Sequence, residues 1–121
     1  MKKLLVLFAN CLFLLTASSF AGEADVIKAE VTKRGGNSYS FHVTVLHGDT
    51  GWNHYANKWD IIDDQGNILA TRTLHHPHVG EQPFTRSLSG VKIPSHIKRI
   101  TIRAHDLVHK YGGKDLNLKL P

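Results

Sequence analysis

The chain has 121 residues, a formal net charge of +5 and 41% apolar residues, which suits one domain with a modest core. Beyond Lys2-Lys3, basic residues such as Lys28, Arg72, Arg86 and Arg103 are dispersed, and only Lys33-Arg34 and Lys98-Arg99 are adjacent. That excludes a cationic stripe with interleaved aromatics, so nucleic acid is not an expected partner.

The first residues read MKKLLVLFANCLFLLTASSFAGEAD. Lys2 and Lys3 form a positive n-region, Leu4 to Leu15 is apolar except for Asn10 and Cys11, and Ser19-Phe20-Ala21 puts small residues at −3 and −1. This is the pattern of a secretory signal peptide over residues 1–21, cut after Ala21. The apolar run is shorter than the ~18–20 residues that span a bilayer, so no stable membrane anchor is expected after cleavage. Lipoprotein processing at Cys11 is not expected either, because Asn10 stands where a small residue belongs and the new N-terminus would be apolar.

The mature domain, residues 22–121, loses Lys2 and Lys3 and so carries +3 instead of +5. It contains no cysteine, since Cys11 is the only one in the chain, and no methionine beyond Met1. It therefore has no disulfide framework, despite export to a periplasmic or extracellular compartment, and no sulfur ligand for a soft metal ion.

The strands come in chain order. DVIKAEVTK (25–33) alternates, with Ile27, Ala29 and Val31 expected on one face. After a turn at Arg34-Gly35-Gly36-Asn37, SYSFHVTVLH (38–47) alternates Tyr39, Phe41, Val43 and Val45 against Ser40, His42 and Thr44, so the pair reads as a hairpin. KWDIID (58–63) places Trp59 and Ile61 together, and Ile68 to Leu74 follows a turn at residues 64–67. Phe84 to Leu88, Ile97 to His105 and Leu116 to Leu120 complete the set. Helical periodicity and internal repeats are absent. Seven short strands with frequent turn signals predict an all-β fold, an immunoglobulin-like antiparallel β-sandwich of about seven strands.

Consecutive antiparallel strands alternate in direction, so their connections alternate between the two ends of the sandwich. Residues 34–37, 64–66 and 89–96 fall at one pole, and residues 48–57, 75–83 and 106–113 at the other. His96 belongs to the first pole and His42 to a polar strand face. The other seven histidines, His47, His54, His75, His76, His78, His105 and His109, fall in or beside the loops of the second pole, together with Asp49, Trp52, Tyr55, Glu81, Asp106 and Tyr111.

Imidazole is the common nitrogen ligand of divalent transition metals, and three or four from separate loops suffice for a site. The seven histidines are therefore candidate metal ligands. Asp106 and Glu81 are candidate oxygen ligands or acceptors that fix the imidazole tautomers. Two of the three histidines in HHPH (75–78) are expected to point inward, because neighbours in an extended segment alternate. Tyr111-Gly112-Gly113 reads as a turn in which glycine supplies positive φ, and Arg86 is placed to pair with Glu81 or Asp106. No G-x-S-x-G nucleophile motif is present.

HHPHVGEQPFTRSLSGVKIP (75–94) and RAHDLVHKYGG (103–113) resemble motifs of a family of small exported His-rich bacterial proteins of unassigned function, over about Asp25 to Pro121. The resemblance implies a periplasmic β-sandwich and no particular activity. The chain is also similar to the Ig-like iron domain of superoxide reductases. WNHYANKWDI sets His54-Tyr55 before Trp59 as E-H-Y-I-x-W does there, and HDLVH puts Asp106 three residues before His109, where that family has the cysteine of C-N-x-H. Thiolate bonding to iron is central to that chemistry, so the departure at Asp106 leaves reductase activity unimplied.

The expected function is metal binding or delivery in the periplasm or outside the cell, with Cu(II) or Zn(II) favoured over iron or nickel and an enzyme less expected. A periplasmic partner protein would fit delivery. The alternatives are a β-sandwich module for a non-metal ligand or partner, its end lined by Trp52, Tyr55 and Tyr111, and a mononuclear-metal redox enzyme distantly like superoxide reductase.

Overall fold

The computed structural model describes residues 22–121, so the signal peptide expected over residues 1–21 lies outside the described residues. Seven strands follow in order: β1 (Asp25–Gly35), β2 (Ser38–Leu46), β3 (Ala56–Ile62), β4 (Ile68–Thr73), β5 (Phe84–Lys92), β6 (Arg99–Asp106) and β7 (Leu116–Lys119). They form two antiparallel sheets, β1-β2-β5 and β4-β3-β6-β7. The protein is a β-sandwich. Its fourth strand pairs with β3, whereas a constant-type immunoglobulin arrangement would put it beside β5.

The period-2 pattern becomes the core. Phe41, Val43 and Val45 from β2 meet Trp59, Ile61, Ile100 and Ile102 from the other sheet, all of them fully buried. Burying a side chain of this size stabilises the fold by roughly 1.5–3 kcal/mol before ordering entropy is set against it. Ile27 departs from the expected face. The β1–β2 register shifts between Val26 and Lys28, so Val26 is buried and Ile27 is 45% exposed. A bulge adds one residue to one strand and turns the following side chains over.

The strand directions put the β2–β3, β4–β5 and β6–β7 connections at one pole, and cross-loop bonds hold them together. The His78 N–H donates to Asp49 Oδ2 at 2.7 Å, the Leu107 N–H to the Tyr55 carbonyl at 3.2 Å, and the His47 N–H to Gln82 Oε1 at 2.9 Å. The N-terminal segment is tied to the same pole. Ala24 is buried, the Val26 N–H donates to the Lys114 carbonyl at 2.9 Å, and the Lys114 N–H to Asp25 Oδ1 at 2.8 Å. Gly112 and Gly113 serve a purpose other than the expected positive φ, which falls on Lys110 (59°). A Cβ at Gly113 would lie 1.9 Å from the Ala24 carbonyl oxygen. Glycine is needed there so that two backbones can approach.

Candidate metal centre

His47, His54 and Asp106 converge at this pole. They come from the end of β2, the loop before β3 and the end of β6. One potential ligand atom from each lies within 4.8 Å of the others. The two imidazole Nε2 atoms are 3.2 Å apart, and His54 Nε2 is also 3.2 Å from Asp106 Oδ1. His47 and Asp106 are buried, while the His54 side chain keeps 17% of its surface exposed, so the group is reached from solvent past His54.

His47 and Asp106 are each fixed from behind. His47 Nδ1 lies 2.5 Å from Asp49 Oδ1, which orients the ring and leaves Nε2 facing the cluster. Asp49 is itself buried and accepts the backbone N–H groups of Ala56 (2.9 Å) and His78 (2.7 Å), so it ties the β2–β3 connection to the β4–β5 connection behind the site. Asp106 Oδ1 accepts the N–H groups of Val108 (2.9 Å) and His109 (2.7 Å), an Asx-type turn that ends β6. Its other oxygen, Oδ2, is buried without a hydrogen-bond partner, 3.9 Å from His47 Nε2. The Gly22 carbonyl oxygen lies 3.0 Å from that same Nε2.

These contacts set the charges. Burial works against ionisation of Asp49 and Asp106. Hydrogen bonds to Asp49 from His47, His78 and Ala56, and to Asp106 from His109 and Val108, prevail and hold both below the usual carboxylate value. Burial also works against a charged His47, but Asp49, then Asp106 and the Gly22 carbonyl, raise its pKa above the usual 6.5. His47 Nε2, His54 Nε2 and the Asp106 carboxylate thus converge, and the Gly22 oxygen lies against the first of them. Such a set is stable only with positive charge among them, either protons on the imidazoles or a cation.

The remaining candidates lie around this centre or away from it. His109, exposed, places Nδ1 3.3 Å from Asp106 Oδ1 and its ring centroid 5.1 Å from that of His54, so it borders the site. His105, four residues earlier, turns the other way and sets Nδ1 2.6 Å from Asn57 Oδ1. Of the triplet, His78 alone is buried, while His75 and His76 are exposed. Contrary to the expected pairing of Arg86 with Glu81 or Asp106, its Nη2 lies 2.7 Å from His78 Nε2. The His78 ring stacks on Phe84 at 4.0 Å between centroids, and its pKa is lowered by burial and then by Arg86. A lone pair that takes a guanidinium proton does not serve a metal, so His78 braces Asp49 through its backbone. Glu81 is exposed and contributes its N–H to the His78 carbonyl at 3.3 Å.

Sequence reasoning places Asp49 at this pole without a role and passes over Gln82. The His-x-Asp spacing of residues 47–49 was a readable signal for the first. Gln82 carried none: its Oε1 holds the His47 N–H and its Nε2 donates to the His78 carbonyl at 3.1 Å.

The chain is 36% identical over 92 residues to a protein of Halomicrobium mukohataei named "Putative lipoprotein". The match takes in 76% of this chain and 45% of that protein, so the chain spans about half the length of the relative. No family model matches the chain. No solved structure matches it either, a superoxide-reductase iron domain included.

Proposed function

We propose that this is an exported metal-binding protein whose site is built from His47, His54 and Asp106 and takes Cu(II) or Zn(II) for binding or delivery. One observation carries the reading. Asp106 Oδ2 is a fully buried carboxylate oxygen with no hydrogen-bond donor, beside two imidazole nitrogens that face each other at 3.2 Å. Leaving such an oxygen unpaired costs on the order of 1–3 kcal/mol or more, and a bound cation removes that cost.

Two imidazoles and a carboxylate, with no sulfur, suit a borderline divalent ion. Among such ions, nitrogen ligands bind Cu(II) most tightly. The Asp49–His47 contact supplies the outer carboxylate that usually orients a metal-bound histidine. Export is supported by the N-terminal signal pattern and by the relative's name. That name also adds a variant in which Cys11 keeps a lipid.

A second reading, a module that docks another molecule, is favoured by exposed apolar side chains on all three loops of this pole. Trp52 is 66% exposed, Val79 58% and Val108 53%. The two readings join if the docked molecule is the ion's donor or acceptor.

The test is metal content. Untagged protein equilibrated with Cu(II) or Zn(II) and desalted should retain one ion per chain by elemental mass spectrometry, and His54→Ala should retain far less. Equal retention by both, or none by the parent, contradicts the reading.

A further inference from the structure

Gly22 stands where a cleaved signal peptide would leave the new N-terminus, and its carbonyl oxygen is 3.0 Å from His47 Nε2. That nitrogen is the one facing His54 Nε2 at 3.2 Å and Asp106 Oδ2 at 3.9 Å. The placement is built rather than incidental. Three residues on, Asp25 and Val26 bond both backbone groups of Lys114. Between them, Ala24 is 1% exposed and presses on Gly113, where even a methyl group would collide with its carbonyl. A segment held this tightly limits the reach of Gly22, two residues ahead of Ala24.

We propose that Gly22 is the fourth arm of the metal site, and that removal of the signal peptide completes the site by freeing the Gly22 α-amino group. This rests on the reading of His47, His54 and Asp106 as metal ligands and on cleavage after Ala21. The chemistry is that of an amino-terminal chelate. The amine nitrogen and carbonyl oxygen of one residue close a five-membered ring on a divalent ion. A free α-amine offers the ion a nitrogen lone pair once its proton is displaced. Before cleavage the same nitrogen is an amide, with no basic lone pair. The uncut precursor would therefore hold three side-chain ligands and a weak carbonyl, whereas the mature protein adds a strong nitrogen donor. Loading is thereby favoured in the exported form.

The test compares the mature chain beginning at Gly22 with a chain carrying a short Gly-Ser extension ahead of Gly22, using Cu(II) as the probe. The described residues contain both complete sheets and the whole core, so both chains keep the fold, and equal thermal midpoints without metal check this. Electron paramagnetic resonance should show three equatorial nitrogens in the mature chain and two in the extended one. The extended chain should bind Cu(II) at least ~10-fold more weakly, on the scale of removing a supporting group from a metal site. Identical spectra and affinities, with both lost in His54→Ala, would overturn the role of Gly22 and leave the side-chain site standing. No Cu(II) binding by either chain would bring down the site and this proposal together. Recovery of the native protein with a lipidated Cys11 at its N-terminus would also overturn the role of the free amine.

Discussion

The Nε2 atoms of His47 and His54 stand 3.2 Å apart, although the residues come from opposite ends of the β2–β3 connection. Two neutral imidazoles meet this way with at most one proton between them. Here Asp49 already takes the far side of His47, and Asp106 lies against His54. The pair is arranged to share positive charge, and the source of that charge determines what the pole does.

Ligand substitutions should divide the histidines. His47→Ala and His54→Ala should each weaken Cu(II) or Zn(II) binding by at least ~100-fold, the upper end of what even an outer-shell loss costs. His75→Ala and His76→Ala, both exposed, should change it less than about twofold. Isothermal titration of the four variants and the parent checks this. Equal losses at His75 and His54 would mean the loop triplet binds the ion.

Asp49→Asn tests the support behind His47. Asp49 is buried and bonded to the His47 ring and to two backbone N–H groups. Hydrogen bonds to a charged group contribute about 1.5–3 kcal/mol each, so urea denaturation should show a loss of about 2–3 kcal/mol. Metal affinity should fall about 10–100-fold. Unchanged affinity with lowered stability would restrict Asp49 to a structural role.

Metal affinity should depend on pH through His47. Its pKa is raised because Asp49, Asp106 and the Gly22 carbonyl outweigh the burial that opposes its charge. The ion must displace that proton, so affinity should already be falling at a pH above 6.5 and lose about tenfold per pH unit below the raised pKa. The apo protein responds with the opposite sign. A raised pKa stabilises the fold below the unfolded value and that stabilisation disappears as pH rises through the folded one. The apo parent should therefore lose stability relative to apo His47→Ala as pH rises above 6.5. Parallel denaturation curves of the two across that range would contradict the assignment.

Gly113→Ala and Gly112→Ala should differ. A methyl at Gly113 meets the Ala24 backbone, while one at Gly112 meets the movable Glu23 side chain at 2.6 Å. Overpacking of the first kind costs about 1–3 kcal/mol. Gly113→Ala should lower the thermal midpoint by several degrees in differential scanning calorimetry, and Gly112→Ala should lower it less. The reverse order would mean the N-terminal segment does not press on this turn.

The alternation of β2, β3 and β6 made the core readable, because side chains on a strand point to opposite faces without regard to the rest of the molecule. The pole that collects the histidines was readable for a similar reason: strand direction alone determines it. Which imidazoles face one another was not. In a loop, the side-chain direction depends on distant partners, as Arg86 takes His78, and near a strand end it depends on the neighbouring strand, as Asn57 of β3 takes His105 of β6. Asp106 reads as a candidate oxygen ligand on the same footing as Glu81, and its place at the centre follows from the pairing of β3 with β6 that sets Ala56 opposite it. Ile27 was misread because a bulge leaves no mark in the hydrophobic pattern.

The measurement that tests the metal site most directly is an anomalous-difference map, collected at the Cu or Zn absorption edge from crystals of the metal-loaded protein. The account predicts one strong peak about 2.0–2.2 Å from His47 Nε2, His54 Nε2 and an Asp106 carboxylate oxygen. A peak confined to His75 and His76, or none at the His47–His54 pair, would contradict it.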